Sequence, residues 1–126
     1  MLLRCVPRVL LCVLALLVGC SSTQGTSTGP PWAKGMATVK EADLPAEARR
    51  TLALVDRGGP FPYTRDGVVF GNVEGRLPRH PRGYYHEYTV PTPGSRDRGA
   101  RRLVTGQGGE TYYTDDHYDS FRAVLR

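Results

Sequence analysis

The frequent glycines and prolines that follow residue 57 are the feature that most constrains how this chain folds. From Gly58 to Gly109 they divide the sequence into short segments. Several of these segments are rich in β-branched and aromatic residues, which favour a pleated, half-buried strand. They predict four short antiparallel strands joined by loops of variable length, at Val68–Phe70, Tyr84–Val90, Arg101–Thr105 and Thr111–Thr114.

One helix is predicted ahead of this region. Pro45 suits the first helical position, because no backbone donor is needed there, and Gly58-Gly59-Pro60 ends the helix. Between these signals one apolar stripe recurs at helical spacing, formed by Leu44, Ala48, Leu52 and Val55. A helix followed by strands predicts an α+β fold, with one N-terminal helix packed on a small twisted antiparallel β-sheet. The other face of the sheet is left free for a site.

The first residues have the pattern of an export signal, and we predict a signal peptide at residues 1–19. Arg4 and Arg8 precede an apolar run, Val9–Val18, which is short for a membrane span. The sequence Leu17–Cys20 (LVGC) resembles a bacterial lipobox, which predicts lipidation at Cys20. The alternative is an ordinary cleaved signal that happens to end in cysteine. Two acyl chains on Cys20 would hold the protein on the outer side of the cytoplasmic membrane.

Composition divides the remainder into two parts. Residues 20–36 are rich in Ser, Thr, Gly and Pro and predict a flexible tether, and residues 37–126 predict one folded domain. All three cysteines (Cys5, Cys12 and Cys20) precede that domain, so no disulfide is available to it. Removal of residues 1–19 leaves 15 basic and 12 acidic residues, a net charge of +3. This mild excess is compatible with a polyanionic partner without being diagnostic of one.

The run Tyr84–Val90 (YYHEYTV) places a single carboxylate, that of Glu87, at the centre of a predicted strand. Strand alternation puts Glu87 on the same face as Tyr85 and Thr89, and His86 on the opposite face. Taken alone, a glutamate at such a position is usually a solvated sheet residue. Its place among tyrosines favours a carboxylate that a rigid sheet presents to a ligand.

Two arginines and one histidine offer groups that could act with Glu87. Arg98 and Arg102 share parity on an extended segment, so both guanidiniums can point to one face and bind a phosphate. His117 follows the last predicted strand. An acid, an imidazole and two arginines together suit acid–base catalysis at a phosphodiester. No metal-ligand spacing is present, and neither a metal nor a cofactor is expected.

Each of these features also has an ordinary explanation. Arginine clusters are usually exposed ion pairs that contribute little, and a Gly-Asn loop such as Gly71-Asn72 is usually only a turn. A lone histidine is more often structural or simply exposed than catalytic, and we interpret His80 and His86 in this way.

Three segments carry a resemblance to a known family: GPFPYTRDGVVFGNVEGRLP, GYYHEYTVPTPGSRDRGARRLV and YYTDDHY. They resemble the secreted microbial guanyl-specific ribonucleases of the actinomycete ribonuclease Sa type, with barnase a more distant relative. The resemblance implies the microbial ribonuclease fold and assigns a role to each matching residue. The general base is Glu87, the general acid His117, the phosphate-binding arginines Arg98 and Arg102, the guanine-loop residues Asn72 and Glu74, and the aromatic site residues Phe70, Tyr118 and Tyr63.

The resemblance therefore implies a metal-independent, monomeric endoribonuclease. It would cleave single-stranded RNA 3′ of guanosine by forming a 2′,3′-cyclic phosphate, which it then hydrolyses. Its expected location is extracellular, or on the outer side of the cytoplasmic membrane if Cys20 is lipidated. Two alternatives stay open. One is a non-catalytic module that binds guanine nucleotides or RNA, and the other is a toxin-type ribonuclease countered by a barstar-like inhibitor.

The sequence departs from this family at several positions. Lys40 stands where the resemblance implies the first cysteine of a disulfide, and the chain ends at Arg126 without the second. Loss of such a bridge typically costs about 2–5 kcal/mol, so we expect a less stable fold than that of the relatives. Gly71 and Val73 replace polar or charged residues, which predicts weaker binding of the base. The loop Gly106–Glu110 is about one residue shorter, which changes the approach of His117.

Overall fold

A computed structural model describes residues 29–126 and contains one α-helix and six strands in that part of the chain. The predicted signal peptide (residues 1–19), Cys20 and the tether up to residue 28 lie outside the described residues. The elements are β1 Thr38–Lys40, α1 Ala46–Arg57, β2 Val68–Phe70, β3 Tyr85–Thr89, β4 Arg102–Gly106, β5 Thr111–Thr114 and β6 Arg122–Leu125. Short 3-10 helices form at Pro31–Ala33 and Glu41–Asp43. No helix among residues 29–126 is long and apolar enough to cross a membrane.

The predicted helix is confirmed. It begins one residue later than expected, because Pro45 is its extended N-cap and not its first helical residue. It ends at Gly58, whose left-handed backbone (φ 80°) lets its N–H reach the last free carbonyls of the helix. Leu44, Ala48 and Leu52 are almost completely buried, so the apolar stripe is the face that packs on the sheet.

The α+β class is also confirmed, with a sheet in the order β1-β6-β5-β4-β3-β2. The four predicted strands correspond to β2, β3, β4 and β5, and all neighbouring pairs among them are antiparallel. The edge strand β1 was not predicted, and neither was β6. These two pair in parallel, with Val39 opposite Val124, so the sheet is mixed rather than purely antiparallel.

Each face of the sheet supports its own apolar cluster. On the helix side, the core formed by α1 and the sheet contains Val90, Leu103, Tyr113 and Val124. On the opposite side, Tyr85, Val104 and Tyr112 pack against residues from loops. This second face is therefore only partly free: Ala33, Leu77 and Phe121 cover one region, and Glu87, Thr89 and Arg102 occupy the rest.

The folded part of the chain begins before the predicted boundary at residue 37. Residues 29–36 belong to the segment whose composition predicts a tether, but Ala33 is 4% exposed and lies in the core opposite the helix. The Trp32 ring packs edge-on against Tyr112 at 5.4 Å, and the Tyr112 hydroxyl donates to the Trp32 carbonyl (3.4 Å). The large apolar area of Trp32 accounts for this attachment.

An ionic clamp joins the C-terminus to α1 and to the segment before it. The Arg126 guanidinium donates through Nε to Glu41 (2.9 Å) and through both Nη atoms to Asp56 (2.8 and 2.5 Å). The Glu41 contact lies next to Lys40, the position at which the resemblance implies a cysteine.

Candidate active site

Glu87 occupies the middle of β3, between Val68 of β2 and Val104 of β4. Its side chain is 12% exposed, so the two neighbouring strands hold it in place and leave only part of the carboxylate open to solvent. Oε1 accepts a short hydrogen bond from the Tyr118 hydroxyl and lies 3.8 Å from Nε of Arg102. A carboxylate held in this way is restrained on one side and free to accept a proton on the other.

Arg102 is the buried cation of the site, with 2% of its side chain exposed. A buried charge is costly unless its donors are satisfied. Nη1 donates to the carbonyls of Gly99 (3.0 Å) and Arg101 (2.8 Å), and Nε donates to the Tyr118 hydroxyl (3.1 Å). These bonds fix the guanidinium beside Glu87 before any ligand is present.

Arg98 reaches the same region from a loop. Its Nη1 donates to the Thr89 hydroxyl (2.8 Å), and Thr89 is the register partner of Arg102. Arg98 therefore lies at the same end of β3 as Arg102, although it lies on a loop and not on the extended segment from which its direction was predicted. The return of the loop depends on Gly99, whose φ is +66° and where a Cβ would lie 2.5 Å from Thr92 Oγ1.

His117 and Tyr118 both adopt left-handed backbone conformations, with φ of 58° and 76°. Such angles are unfavourable for residues with side chains and persist only where the surroundings enforce them. The His117 N–H donates to the Ala100 carbonyl (3.0 Å), and the Tyr118 N–H donates to Thr114 Oγ1 (3.1 Å). The His117 imidazole is exposed and lies 4.7 Å from the Tyr118 ring, between centroids.

Asp116 stabilises the turn that presents His117. Its carboxylate accepts from the Thr114 hydroxyl (2.8 Å) and from the Ser120 backbone (2.9 Å) and hydroxyl (2.5 Å). The hydrogen bond from the Ser120 side chain is the main cause that lowers the pKa of Asp116 to about 2. The carboxylate is therefore ionised at mildly acidic and at neutral pH.

Tyr118 connects the acidic and basic parts of the site. Its hydroxyl accepts from Arg102 and donates to Glu87. Burial raises the pKa of the Tyr118 phenol, and the hydrogen bond to Glu87 raises it further. The hydroxyl stays protonated as a result, and it acts as the donor to the Glu87 carboxylate.

A cavity of about 290 Å³ adjoins these groups. Three aromatic rings contribute to its lining: Phe70 is stacked on Tyr118 (5.3 Å between centroids, 26°) and packs against Phe121 (5.8 Å). The loop that follows Phe70 completes the lining through Gly71, Asn72, Val73, Glu74 and Arg76. Phe121 was not among the predicted site residues, although it lies only three residues after Tyr118.

Within this loop the side chains of Asn72 and Glu74 have different roles. Asn72 (φ 52°) donates through Nδ2 to the Leu77 carbonyl (3.0 Å) and accepts from the Leu77 N–H (3.1 Å), so its amide closes the loop and is not free for a ligand. The Glu74 side chain is 67% exposed, and Arg76, at 4.0 Å, is the only basic residue among residues 29–126 within ion-pair distance of its carboxylate. It is therefore available as an acceptor at the mouth of the cavity.

Tyr63 is not joined to the other predicted residues by its side chain. Within the described part of the chain its hydroxyl makes no hydrogen bond, and its N–H donates to Asp66 Oδ2 (3.1 Å). Asp66 Oδ1 accepts from the Thr89 N–H (2.7 Å), so this turn is fixed to the Thr89 end of β3. Asp66 and Thr89 are supporting residues that sequence reasoning missed, because an Asp-Gly turn gives no sign of the distant strand it will bond.

The remaining predictions concern residues outside the catalytic groups. His86 lies on the other face of β3, where Nδ1 bonds to the Gly67 carbonyl (2.8 Å), in agreement with a structural role. The short loop Gly106–Glu110 closes as a hairpin, with the Gly106 N–H on the Glu110 carbonyl (2.9 Å). The backbone of His117 is held by the hydrogen bond from its N–H to the Ala100 carbonyl and not by a bond to this loop.

A carboxylate, an imidazole and two guanidiniums beside an aromatic cavity suit proton transfer at a phosphodiester that is linked to a planar base. This is the chemistry of a nuclease that uses side chains for acid–base catalysis. The fold leaves these groups on the face of the sheet opposite α1, next to the cavity.

Comparison with known proteins identifies the family. The family model described as ribonuclease matches residues 28–125, and the chain belongs to this family. It is 58% identical over 91 residues to guanyl-specific ribonuclease St of Saccharopolyspora erythraea, which covers 72% of this chain and 90% of that protein. It is 56% identical over 88 residues to guanyl-specific ribonuclease Sa of Kitasatospora aureofaciens, covering 69% and 92%.

Solved structures agree with this assignment. Ribonuclease Sa2 in complexes with mononucleotides superposes with a TM-score of 0.72 at 54% identity, over 73% of this chain and 96% of that one. Ribonuclease Sa2 with guanosine-2′-cyclophosphate superposes with a TM-score of 0.70 at 54% identity, over 72% and 97%. The actinomycete ribonuclease Sa type indicated by the sequence motifs is thereby confirmed.

Proposed function

We propose that this protein is an exported guanyl-specific endoribonuclease that cleaves single-stranded RNA on the 3′ side of guanosine. The observation that carries the proposal is the position of the Glu87 carboxylate, held by Tyr118 and 3.8 Å from the buried Arg102 guanidinium, next to the aromatic cavity. The named activities of the relatives and the guanosine ligand of a solved relative support the same substrate.

Cleavage begins at the ribose, because RNA carries its own nucleophile. Glu87 removes the proton of the 2′-hydroxyl, and O2′ attacks phosphorus to form the 2′,3′-cyclic phosphate. His117 protonates the departing O5′ of the next nucleotide. In the second step the roles reverse: His117 activates water, which opens the cyclic phosphate, and Glu87 returns the proton to O2′. Each proton transfer typically contributes on the order of 10²–10⁴ in rate.

Arg98 and Arg102 stabilise the negative charge that develops on the phosphoryl oxygens. Arg102 is held by three hydrogen bonds, and Arg98 is held on Thr89, so neither guanidinium has to reorganise during the reaction. Preorganised donors of this kind commonly contribute more than any other single effect to catalysis. Tyr118 supports both sides of the site, because it positions Glu87 and also accepts from Arg102.

Guanine selectivity comes from the loop after Phe70. The Glu74 carboxylate can accept from N1–H and the N2 amino group of guanine together, and loop N–H groups can donate to O6 and N7. Adenine lacks this pair of donors and would leave Glu74 unpaired once the base covers it. Because the Asn72 side chain is hydrogen-bonded to Leu77, it stabilises the loop, and Asn72 can contact guanine only through its backbone.

The test is product analysis on GpC with purified protein. Guanosine 2′,3′-cyclic phosphate and cytidine should form, and the analogue with 2′-deoxyguanosine should be inert because it lacks the nucleophile. Glu87→Gln and His117→Gln should each lower kcat by on the order of 10²–10⁴. His80→Gln is the matched control, since His80 is exposed, its ring stacks on Tyr84, and among residues 29–126 it makes no hydrogen bond to Glu87, Arg98 or Arg102.

Two results would contradict this proposal. Activity that survives both substitutions would exclude Glu87 and His117 as base and acid. Tight binding of 3′-GMP without any turnover of GpC would instead indicate a non-catalytic module that binds guanine nucleotides.

The proposed location rests on the sequence before residue 29. The basic residues Arg4 and Arg8, the apolar run after them and the quartet Leu17–Cys20 support export and lipidation at Cys20. Mass spectrometry of the mature N-terminus is the direct measurement. A diacylglyceryl group on Cys20 would place the enzyme on the outer side of the membrane, whereas an unmodified N-terminus would indicate release into the medium.

Two partner predictions complete the proposal. A single domain with a site built from one chain is expected to act as a monomer, which size-exclusion chromatography coupled to light scattering can measure. A barstar-like inhibitor would need to contact the exposed groups of the site. Titration of GpC cleavage with barstar tests this directly, since inhibition should reach completion near equal molar amounts.

A further inference from the structure

Three arginines lie on the segment that follows the guanine loop. Arg76, Arg79 and Arg82 are all exposed. Arg76 is 4.0 Å from Glu74 and 3.9 Å from Asp119, whereas no carboxylate of residues 29–126 lies within 4.0 Å of Arg79 or Arg82. The cationic charge of Arg79 and Arg82 is therefore available to an anion in solution.

Arg82 reaches the guanine loop because Gly71 has no side chain. A Cβ on Gly71 would lie 2.9 Å from Arg82 Nη1 and 3.3 Å from Val73 Cγ2, so any larger residue would displace the guanidinium. Val73 itself is 91% exposed. Gly71 is one of the two loop positions at which the resemblance implies a polar or charged residue, and Arg82 lies against it.

The guanidinium of Arg82 lies at the Tyr85 end of β3, because it lies against Gly71, and the neighbouring Phe70 is the register partner of Tyr85. Arg82 precedes Tyr85, the first residue of β3, whereas Arg98 is hydrogen-bonded to Thr89, the last residue of that strand. The ends of a five-residue strand are about 13 Å apart. Arg82 and the catalytic arginines therefore face different phosphates of a bound RNA.

The direction of the RNA follows from the position of His117. Its N–H is bonded to Ala100, near the start of β4, where Arg102 is opposite Thr89. The leaving nucleotide, which His117 protonates, departs at that end. The cavity for guanine lies at the other end, since Phe70 is the register partner of Tyr85. The 5′ side of the guanosine is then directed toward Arg82.

We propose that Arg82, assisted by Arg79, binds the phosphodiester on the 5′ side of the guanosine. This inference rests on the proposed function and adds a second anion-binding position to it, outside the guanine loop. An exposed ion pair contributes modestly, so the gain in kcat/KM from a 5′ phosphate should be about two- to fivefold and should decline as salt increases.

The experiment compares GpC with 5′-phosphorylated GpC, which differ only in the phosphate at issue. We expect the native enzyme to prefer the phosphorylated substrate in kcat/KM at low salt and Arg82→Gln to lose most of that preference. Arg50→Gln is the matched control, because Arg50 is an exposed arginine of α1, on the opposite side of the sheet. It should retain the full preference of the native enzyme.

The outcomes separate the inference from the function on which it depends. No cleavage of either substrate would contradict the proposed function. Cleavage of GpC with the same preference in Arg82→Gln as in the native enzyme would overturn the inference alone. An equal loss on both substrates would also overturn it, because Arg82 would then act by supporting the guanine loop and not by binding a phosphate.

Discussion

Replacement of Arg126 by glutamine measures how much the ionic clamp contributes where the relatives are expected to have a disulfide. The guanidinium makes three charge-assisted contacts, at 2.9 Å to Glu41 and at 2.8 and 2.5 Å to Asp56. The side chains of Arg126, Glu41 and Asp56 are 36%, 38% and 48% exposed, so each ion pair should contribute the free energy typical of an exposed pair and not of a buried one. Taken as a bidentate network, the clamp should contribute about 1–1.5 kcal/mol to the free energy of unfolding.

The contribution depends on pH in a direction set by Asp56. The hydrogen bond from Arg126 is the main cause that lowers the pKa of Asp56 in the folded protein, and the pKa of Arg126 is raised by the same contact. A carboxyl whose folded pKa is lowered stabilises the fold fully above its unfolded value of about 3.9, and this contribution is lost as the pH falls through the folded value. The effect of Arg126→Gln should therefore be full at pH 6 and should shrink below about pH 4.

Thermal unfolding followed by circular dichroism is the assay, at pH 6 and pH 3 and in low and high salt. A loss of about 1–1.5 kcal/mol should lower Tm by about 5–10 °C for a domain of this size, and 1 M salt should reduce the difference. Arg50→Gln is the control, as an exposed arginine on the same helix as Asp56. If Arg126→Gln changes Tm no more than Arg50→Gln does at pH 6 in low salt, the clamp contributes nothing and the reasoning is wrong.

This magnitude also bears on the predicted loss of stability. A disulfide in a small domain typically contributes about 2–5 kcal/mol, which exceeds the value expected for the clamp. The protein should accordingly unfold at a lower temperature than relatives that carry the disulfide. A Tm equal to that of ribonuclease Sa under the same conditions would contradict the expectation.

Three further predictions concern catalysis. Tyr118→Phe removes the donor to Glu87 and should lower kcat about 10- to 100-fold without loss of the fold, because a hydrogen bond to a charged group is worth about 1.5–3 kcal/mol; unchanged GpC turnover would exclude this role. Glu74→Gln should lower kcat/KM for GpC by about 10²-fold while that for ApC stays the same, and a constant ratio of the two would show that Glu74 does not select guanine. Asp116→Asn should weaken the turn that holds His117 and lower kcat about tenfold near neutral pH. Because the pKa of Asp116 is about 2, the turn of the native protein should stay intact down to about pH 3, which amide hydrogen exchange can measure. Loss of amide protection in this turn at pH 5 would contradict the prediction.

The helix and the four central strands could be predicted because their signals are local. The apolar stripe from Leu44 to Leu52 predicts which face of the helix is buried, and Gly58 predicts where the helix ends. The alternation in Tyr84–Val90 likewise separates Glu87 from His86 across the sheet, as the structure has it. In each case a residue and its near neighbours contain the whole pattern.

The parallel edge could not be predicted in the same way. Strands β1 and β6 have only three and four residues, and each is recognisable only when the other is beside it. The attachment of Trp32 to Tyr112 has the same character, since a single tryptophan in a Gly- and Pro-rich segment does not indicate what it will pack against.

The candidate site divides along the same line. From the sequence alone we obtained the residue types required for cleavage, the face of β3 that bears Glu87 and the family resemblance that suggested a role for each residue. Only the tertiary structure showed that Arg98 reaches Thr89 from a loop, that the Asn72 side-chain amide is hydrogen-bonded to Leu77, and that Arg82 lies against Gly71. Local pattern depends on the backbone preference and burial of neighbouring residues, whereas these contacts depend on strand register and loop closure between residues that are distant in the chain.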